Sequence, residues 1–277
     1  MSGRTAEAER GECFWGRRAA YAKRRAYRRP VLTLGVDLAA ADERTASAVV
    51  RWRDGGAEVV EARLGVGDEA ILEAIPRVDR VGIDCPFGWP VPFTEMVAGH
   101  ARGRIARPGP EESSAQWRRR MVYRTTDEVV RAETGLIPLS VSADRIAHAA
   151  FRAALLLTRL AEAGIPVDRT GDGPVAEVYP AACLRRWGLA HRGYKRGEGH
   201  GFLVDHLLVA APWLRFGEHE RLLRMSHDAF DAVIAALAAR AVALGQFRRP
   251  GADERPSAVV EGWIALPTCD LSELIRP

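Results

Sequence analysis

Two short apolar runs in this chain each stop at an aspartate. Val31-Leu32-Thr33-Leu34-Gly35-Val36 ends at Asp37, and Val81-Gly82-Ile83 ends at Asp84. Continuous apolar runs of this length read as strands buried on both faces, the pattern of a parallel sheet covered by helices. A carboxylate at the end of such a strand is costly unless it is paired or binds a cation. In an open α/β sheet, that end is also where ligands bind. A third run, Val175-Ala176-Glu177-Val178-Tyr179, carries an acid within it. Asp228 and Asp231 open a long Ala-rich segment at i, i+3 spacing, which puts them on one helix face. One such acid is easily an accident; together they predict a site.

The remaining pattern surrounds these strands with ordinary elements. Residues 46–53 and 57–64 predict a hairpin about Asp54-Gly55-Gly56, and Asp68 is placed to cap a helix reaching Ile75. Residues 86–140 break the pattern with six prolines and Arg clusters at 102–107 and 118–124, an insertion long enough to suggest a functional cap. A helix is expected from Ser142 or Asp144 to Ala163, with the hydroxyls of Ser140 and Ser142 read first as its caps. A strand at 174–179, a partly Gly-rich helical region to 224 and a helix over 226–244 follow. Ala258-Val259-Val260 and Trp263-Ile264-Ala265-Leu266 read as a strand-like coda.

Charge divides the chain unevenly. Its net +4 comprises +6 within residues 1–30 and −2 in the remainder. Residues 1–29 therefore predict a basic, disordered tail that either contacts nucleic acid or is simply solvated, and residues 30–277 a single domain. An apolar content of 47% suffices for a core. No stretch approaches a membrane span, no apolar signal core is present, and Glu7, Glu9 and Glu12 argue against a transit peptide. Cys13, Cys85, Cys183 and Cys269 lie far apart without a Cys-x-x-Cys pair, which suggests reduced thiols in a cytoplasmic protein.

Acids delivered by neighbouring strands about 4.8 Å apart can share a cation. Oxygen-only ligands favour Mg²⁺ or Mn²⁺, and two such ions would clamp the attacking and leaving oxygens of a displacement at phosphorus. Asp37, Asp84, Glu177, Asp228 and Asp231 are thus the candidate catalytic and metal-binding residues. For the last two, an ordinary acidic helix start is the competing reading. His227 reads as a capping or packing residue before it reads as a base.

The motifs Gly35-Val36-Asp37, Gly82-Ile83-Asp84-Cys85-Pro86-Phe87-Gly88-Trp89-Pro90, Glu177-Val178-Tyr179-Pro180, Tyr194-Lys195, His227-Asp228-Ala229-Phe230-Asp231-Ala232 and Glu261-Gly262-Trp263 resemble the family of domain of unknown function 429. The resemblance spans about residues 31–267. That family is described as predicted nucleases of the ribonuclease-H-like fold. It implies an α/β architecture with a mixed five-stranded sheet ordered 3-2-1-4-5, flanked by helices, with the long insertion 86–140 after the fourth strand. The Asp228–Asp231 element also resembles the final helix of bacterial Holliday-junction resolvases, where both acids bind metal. Such enzymes often work as homodimers, although no interface is readable here.

Within the insertion, Trp117 and Tyr123 flank cations in a mixture suited to phosphate contact and base stacking. The alternative is a solvated Arg face over inward-packed rings. Arg124 is the candidate substrate contact, and Asp127 either orients it or joins the acids. Lys195 reaches a phosphate or is a surface lysine, and Glu261 ranks behind the others. The expected function is a divalent-metal-dependent nuclease acting on DNA or RNA. The alternatives are a nucleic-acid-binding protein without catalysis, or a phosphotransferase or phosphate-ester hydrolase on the same core. Against a kinase, Asp37 is followed by Leu38-Ala39-Ala40-Ala41-Asp42 with no phosphate loop.

Overall fold

Strand β1 (Val31–Asp37) lies at the heart of a mixed sheet. The computed structural model describes residues 30–193 and 199–276, of which those from Val31 onward form one compact unit. β1 pairs antiparallel with β2 (Ala46–Arg53), which turns through Gly55 at φ 78° into β3 (Gly56–Leu64). On its other side, β1 pairs parallel with β4 (Arg80–Asp84), and β4 pairs parallel with β5 (Val175–Glu177). Among the described residues the sheet has six strands rather than five: β6 (Leu214–Arg215) adds parallel to β3, giving the order β5-β4-β1-β2-β3-β6. Two residues give too short a run for a periodic signal, so nothing in the sequence marks β6 as a strand.

Helices cover both faces. On one, α1 (Asp68–Ala74) and α5 (Ala147–Glu162) pack Ile71, Ala150, Ala153, Leu157 and Leu160 against Leu34, Val36, Val81 and Ile83. Asp68 does not cap α1; it is ion-paired to Arg152 of α5. Between β4 and α5 the insertion forms α2 (Val91–Ala101), α3 (Ser114–Val122) and α4 (Thr125–Thr134). Helix α5 starts later than the sequence suggests, because Ser140 and Ser142 turn their hydroxyls to the Val122 and Met121 carbonyls, ending α3 rather than capping α5.

The other face is covered by α9 (His227–Ala243), capped by Ser226, whose hydroxyl accepts the Ala229 N–H. Around it lie α6 (Pro180–Arg186), α7 (Gly199–Ala210) and α8 (Glu220–Met225). Enclosure between sheet and helices explains why α9 is buried from Asp228 through Val242 and, apart from Asp228, Asp231 and Arg240, apolar around its circumference. Its backbone meets the sheet at two glycines. A Cβ on Gly35 would fall 1.9 Å from the Ala232 carbonyl oxygen, and one on Gly82 would fall 2.5 Å from that of Ala235.

The expected coda strand at 258–260 is instead helix α10 (Arg255–Glu261). Pro256 presets the first helical turn, and burial follows helical spacing: Ala258 and Glu261 point inward while Val259 and Val260 are exposed. Only single bridges remain of the rest, Ile264 with Glu177 and Pro267 with Phe247. Among the described residues, no helix is long and apolar enough to cross a membrane.

Candidate functional site

Asp37 and Asp84 are direct register partners at the carboxyl ends of β1 and β4. Strand side chains alternate in direction. Each aspartate therefore shares the face of the glycine two residues before it, which is the face against α9. The pair is half-buried. Helix α9 brings Asp228 and Asp231 to the same neighbourhood: Asp231 immediately precedes Ala232, whose carbonyl rests over Gly35, and is fully buried.

Asp228 is bound by a cation from the turn after β1. Arg44 Nε donates to its Oδ2 at 2.9 Å and Nη2 to its Oδ1 at 3.3 Å. The Arg44 pKa is raised first by that hydrogen bond, then by the charge of Asp228, with Asp37 adding to the effect. His227 Nδ1 stands 2.7 Å from Asp228 Oδ1, beside the cluster.

Glu177 is held elsewhere. Its Oε1 accepts from Arg124 Nη2 at 2.7 Å, and its Oε2 accepts from Arg124 Nη1 and from the Phe87 N–H, each at 2.9 Å. Arg124 also donates through Nε and Nη2 to Asp127 and through Nη1 to the Glu261 carbonyl. The five guanidinium N–H groups are thereby accounted for inside the protein, and Arg124 is only 1% exposed. Burial alone would lower its pKa, but Asp127 and then Glu177 outweigh burial and shift it upward. For Glu177, burial pushes the carboxyl up and the Arg124 charge opposes that shift.

The Glu261 carboxylate accepts the N–H groups of Val91 and Thr125, both at 2.8 Å, so it joins the N-termini of α2 and α4, where negative charge is favoured. Gly262 sits against this network: at φ 89°, its Cβ would lie 2.6 Å from Glu177 Oε2. Arg124 and Glu261 also border a cavity of about 730 Å³, with Arg119, Arg120, Tyr123 and Val91 in its lining. Arg119 and Arg120 are paired there with Glu128 and Glu112.

The structure thus separates the sequence-predicted residues into two groups. Asp37, Asp84, Asp228 and Asp231, with His227 alongside, gather where the strand ends meet α9. Glu177, Arg124, Asp127 and Glu261 form a buried ion network beside them. Tyr194 and Lys195 lie outside the described residues. Sequence reasoning missed Arg44 as the Asp228 partner and missed that Arg124 bonds Glu177; only the Arg124-x-x-Asp127 spacing hinted at an ion pair. Among the described residues, no group of three or more His, Cys, Asp or Glu side chains is arranged to hold a metal ion.

Comparison with curated proteins and with solved structures returned no match. A family model, described as protein of unknown function (DUF429), matches residues 35–255. That span includes both strand-end aspartates, Arg44, the Arg124–Glu177 pair and the acids of α9. The chain belongs to the DUF429 family.

Proposed function

We propose that this protein is a divalent-metal-dependent nuclease, hydrolysing phosphodiester bonds of DNA or RNA on a ribonuclease-H-like sheet. The observation that carries the reading is the register pairing of Asp37 with Asp84 at adjacent parallel strand ends. The position of β1 between β2 and β4, with an acid-bearing helix laid across the glycines of β1 and β4, supports the fold assignment.

The donor set fits Mg²⁺ or Mn²⁺. Mg²⁺ commonly binds through one or two carboxylates and leaves its other positions to water and substrate phosphate, so two strand-end aspartates suffice without a preformed cage. When bound, such a cation neutralises charge at phosphorus and lowers the pKa of a water nucleophile. In this reading Asp37 and Asp84 hold the cation, and Asp231 and Asp228 add negative charge from α9. Glu177 acts through position: it fixes the Phe87 N–H, three residues beyond Asp84, and ties β5 to α4 through Arg124. Arg124 and Asp127 then order the site without touching substrate.

The test is cleavage of single-stranded, duplex and four-way branched DNA and RNA in Mn²⁺, in Mg²⁺ and in EDTA. Asp84→Asn removes one charge with little change of shape. Cutting should require metal and fall at least a hundred-fold in the variant, the loss expected of roughly 3 kcal/mol of transition-state stabilisation. Retained cutting by a folded Asp84→Asn protein would refute the reading.

A further inference from the structure

Asp228 of the acid cluster is already paired with a cation that the chain itself supplies, Arg44. Arg44 lies at the end of the 3-10 turn Asp42–Arg44 that follows β1. The turn is anchored independently of the Arg44 side chain. Arg152 of α5 pairs with Asp42 at 2.6 Å and donates to the Ala39 carbonyl and the Thr45 hydroxyl, while that hydroxyl donates to the Ala41 carbonyl at 3.1 Å. The Arg44 guanidinium is therefore the exposed end of a fixed turn: its side chain is 64% exposed, that of Asp228 only 12%.

Burial distinguishes this pair from the other Arg–carboxylate pair of the region. Arg124 and Glu177 are buried on both sides, and separating them would leave the Glu177 carboxylate out of water without its counter-charge. Arg44, by contrast, can return to solvent without moving its backbone. A guanidinium on Asp228 and a divalent cation beside Asp37 draw on the same negative charge and repel one another.

We propose that Arg44 is a positioning residue, a resident counter-cation that occupies Asp228 until a divalent cation binds beside Asp37 and Asp84 and then gives Asp228 up. The freed guanidinium is then available, at the same strand ends, for forked hydrogen bonding to a substrate phosphate. The inference rests on the metal-dependent reading above, and its test separates the two.

Mn²⁺ is titrated calorimetrically into the full-length protein and into Arg44→Ala, Arg44→Lys, Asp228→Asn and the Arg44→Ala/Asp228→Asn double variant, with circular dichroism to establish folding. Arg44→Ala should bind Mn²⁺ about ten-fold more tightly than wild type, the ordinary scale of coupling between two sites. Arg44→Lys should fall between them, because an ammonium keeps the charge without the fork. In the Asp228→Asn background the gain should largely vanish. Unchanged or weaker Mn²⁺ binding by Arg44→Ala overturns the inference and leaves the metal-dependent reading standing, as does a gain that persists in full without Asp228. No Mn²⁺ binding by either wild type or Arg44→Ala overturns both.

Discussion

Arg124 shows how far a single residue's role depends on where its donors go. As a letter in an Arg-rich stretch it invites a phosphate; in the fold its guanidinium is enclosed by Asp127, Glu177 and the Glu261 carbonyl. Removing it would leave buried carboxylates facing one another without a counter-charge. We expect Arg124→Ala to lose roughly 3–5 kcal/mol of stability in urea denaturation. Arg124→Lys should recover only part of it, because an ammonium offers three donors where the planar guanidinium places five. A substrate-binding arginine would instead lose affinity with its stability intact, so a denaturation midpoint unmoved by Arg124→Ala would contradict the structural role. This network was only partly legible in the sequence. Spacing exposed the Arg124–Asp127 pair, but Glu177 is 53 positions from Arg124, and nothing local announces which strand a buried guanidinium will meet. Arg44 was hidden for the same reason: its partner lies 184 residues away.

The elements of the sheet were more readable because each carries its signal within itself. β1, the β2–β3 hairpin and β4 declare themselves by continuous apolar runs and an Asp-Gly-Gly turn, and α9 by its capping Ser226 and its alanines. What the pattern could not supply was contact at the backbone level. Gly35 and Gly82 sit unremarked within the apolar runs of β1 and β4, yet they are where α9 touches the sheet. A methyl group at Gly35 must displace a helix backbone rather than a flexible side chain. Gly35→Ala should therefore cost about 1–3 kcal/mol or more and weaken any site formed between Asp37 and Asp231. Gly109→Ala, where a Cβ meets nothing within 4 Å, is the control and should be close to neutral. Equal denaturation midpoints for the two variants would show that α9 does not depend on that approach. The coda failed in the opposite way: Ala258-Val259-Val260 has strand-like composition, but Pro256 and the inward spacing of Ala258 and Glu261 make it a helix.

At the scale of the whole molecule, net charge is divided unevenly along the sequence. Residues 1–30 carry +6 while the remainder carries −2 and holds every acid of the strand-end cluster. An acidic centre repels a polyanion until a cation is bound, so the proposed nuclease reading requires positive charge elsewhere to retain a nucleic-acid substrate. The N-terminal segment is the largest concentration of it. Each phosphate neutralised by Lys or Arg releases counter-ions and steepens the salt dependence of binding by roughly 0.9 per contact on duplex DNA. Deleting residues 1–30 should thus weaken binding of a non-specific duplex and flatten its log–log salt slope by several units, while Mn²⁺-dependent cutting at saturating substrate persists. Fluorescence anisotropy over a salt series, paired with the cleavage assay, reads both quantities on the same preparations. A slope unchanged by the deletion would move the phosphate-binding surface to the Arg-bearing insertion between β4 and α5. Loss of cutting at saturation would mean that the segment takes part in the site itself, against the division of labour that the charge distribution implies.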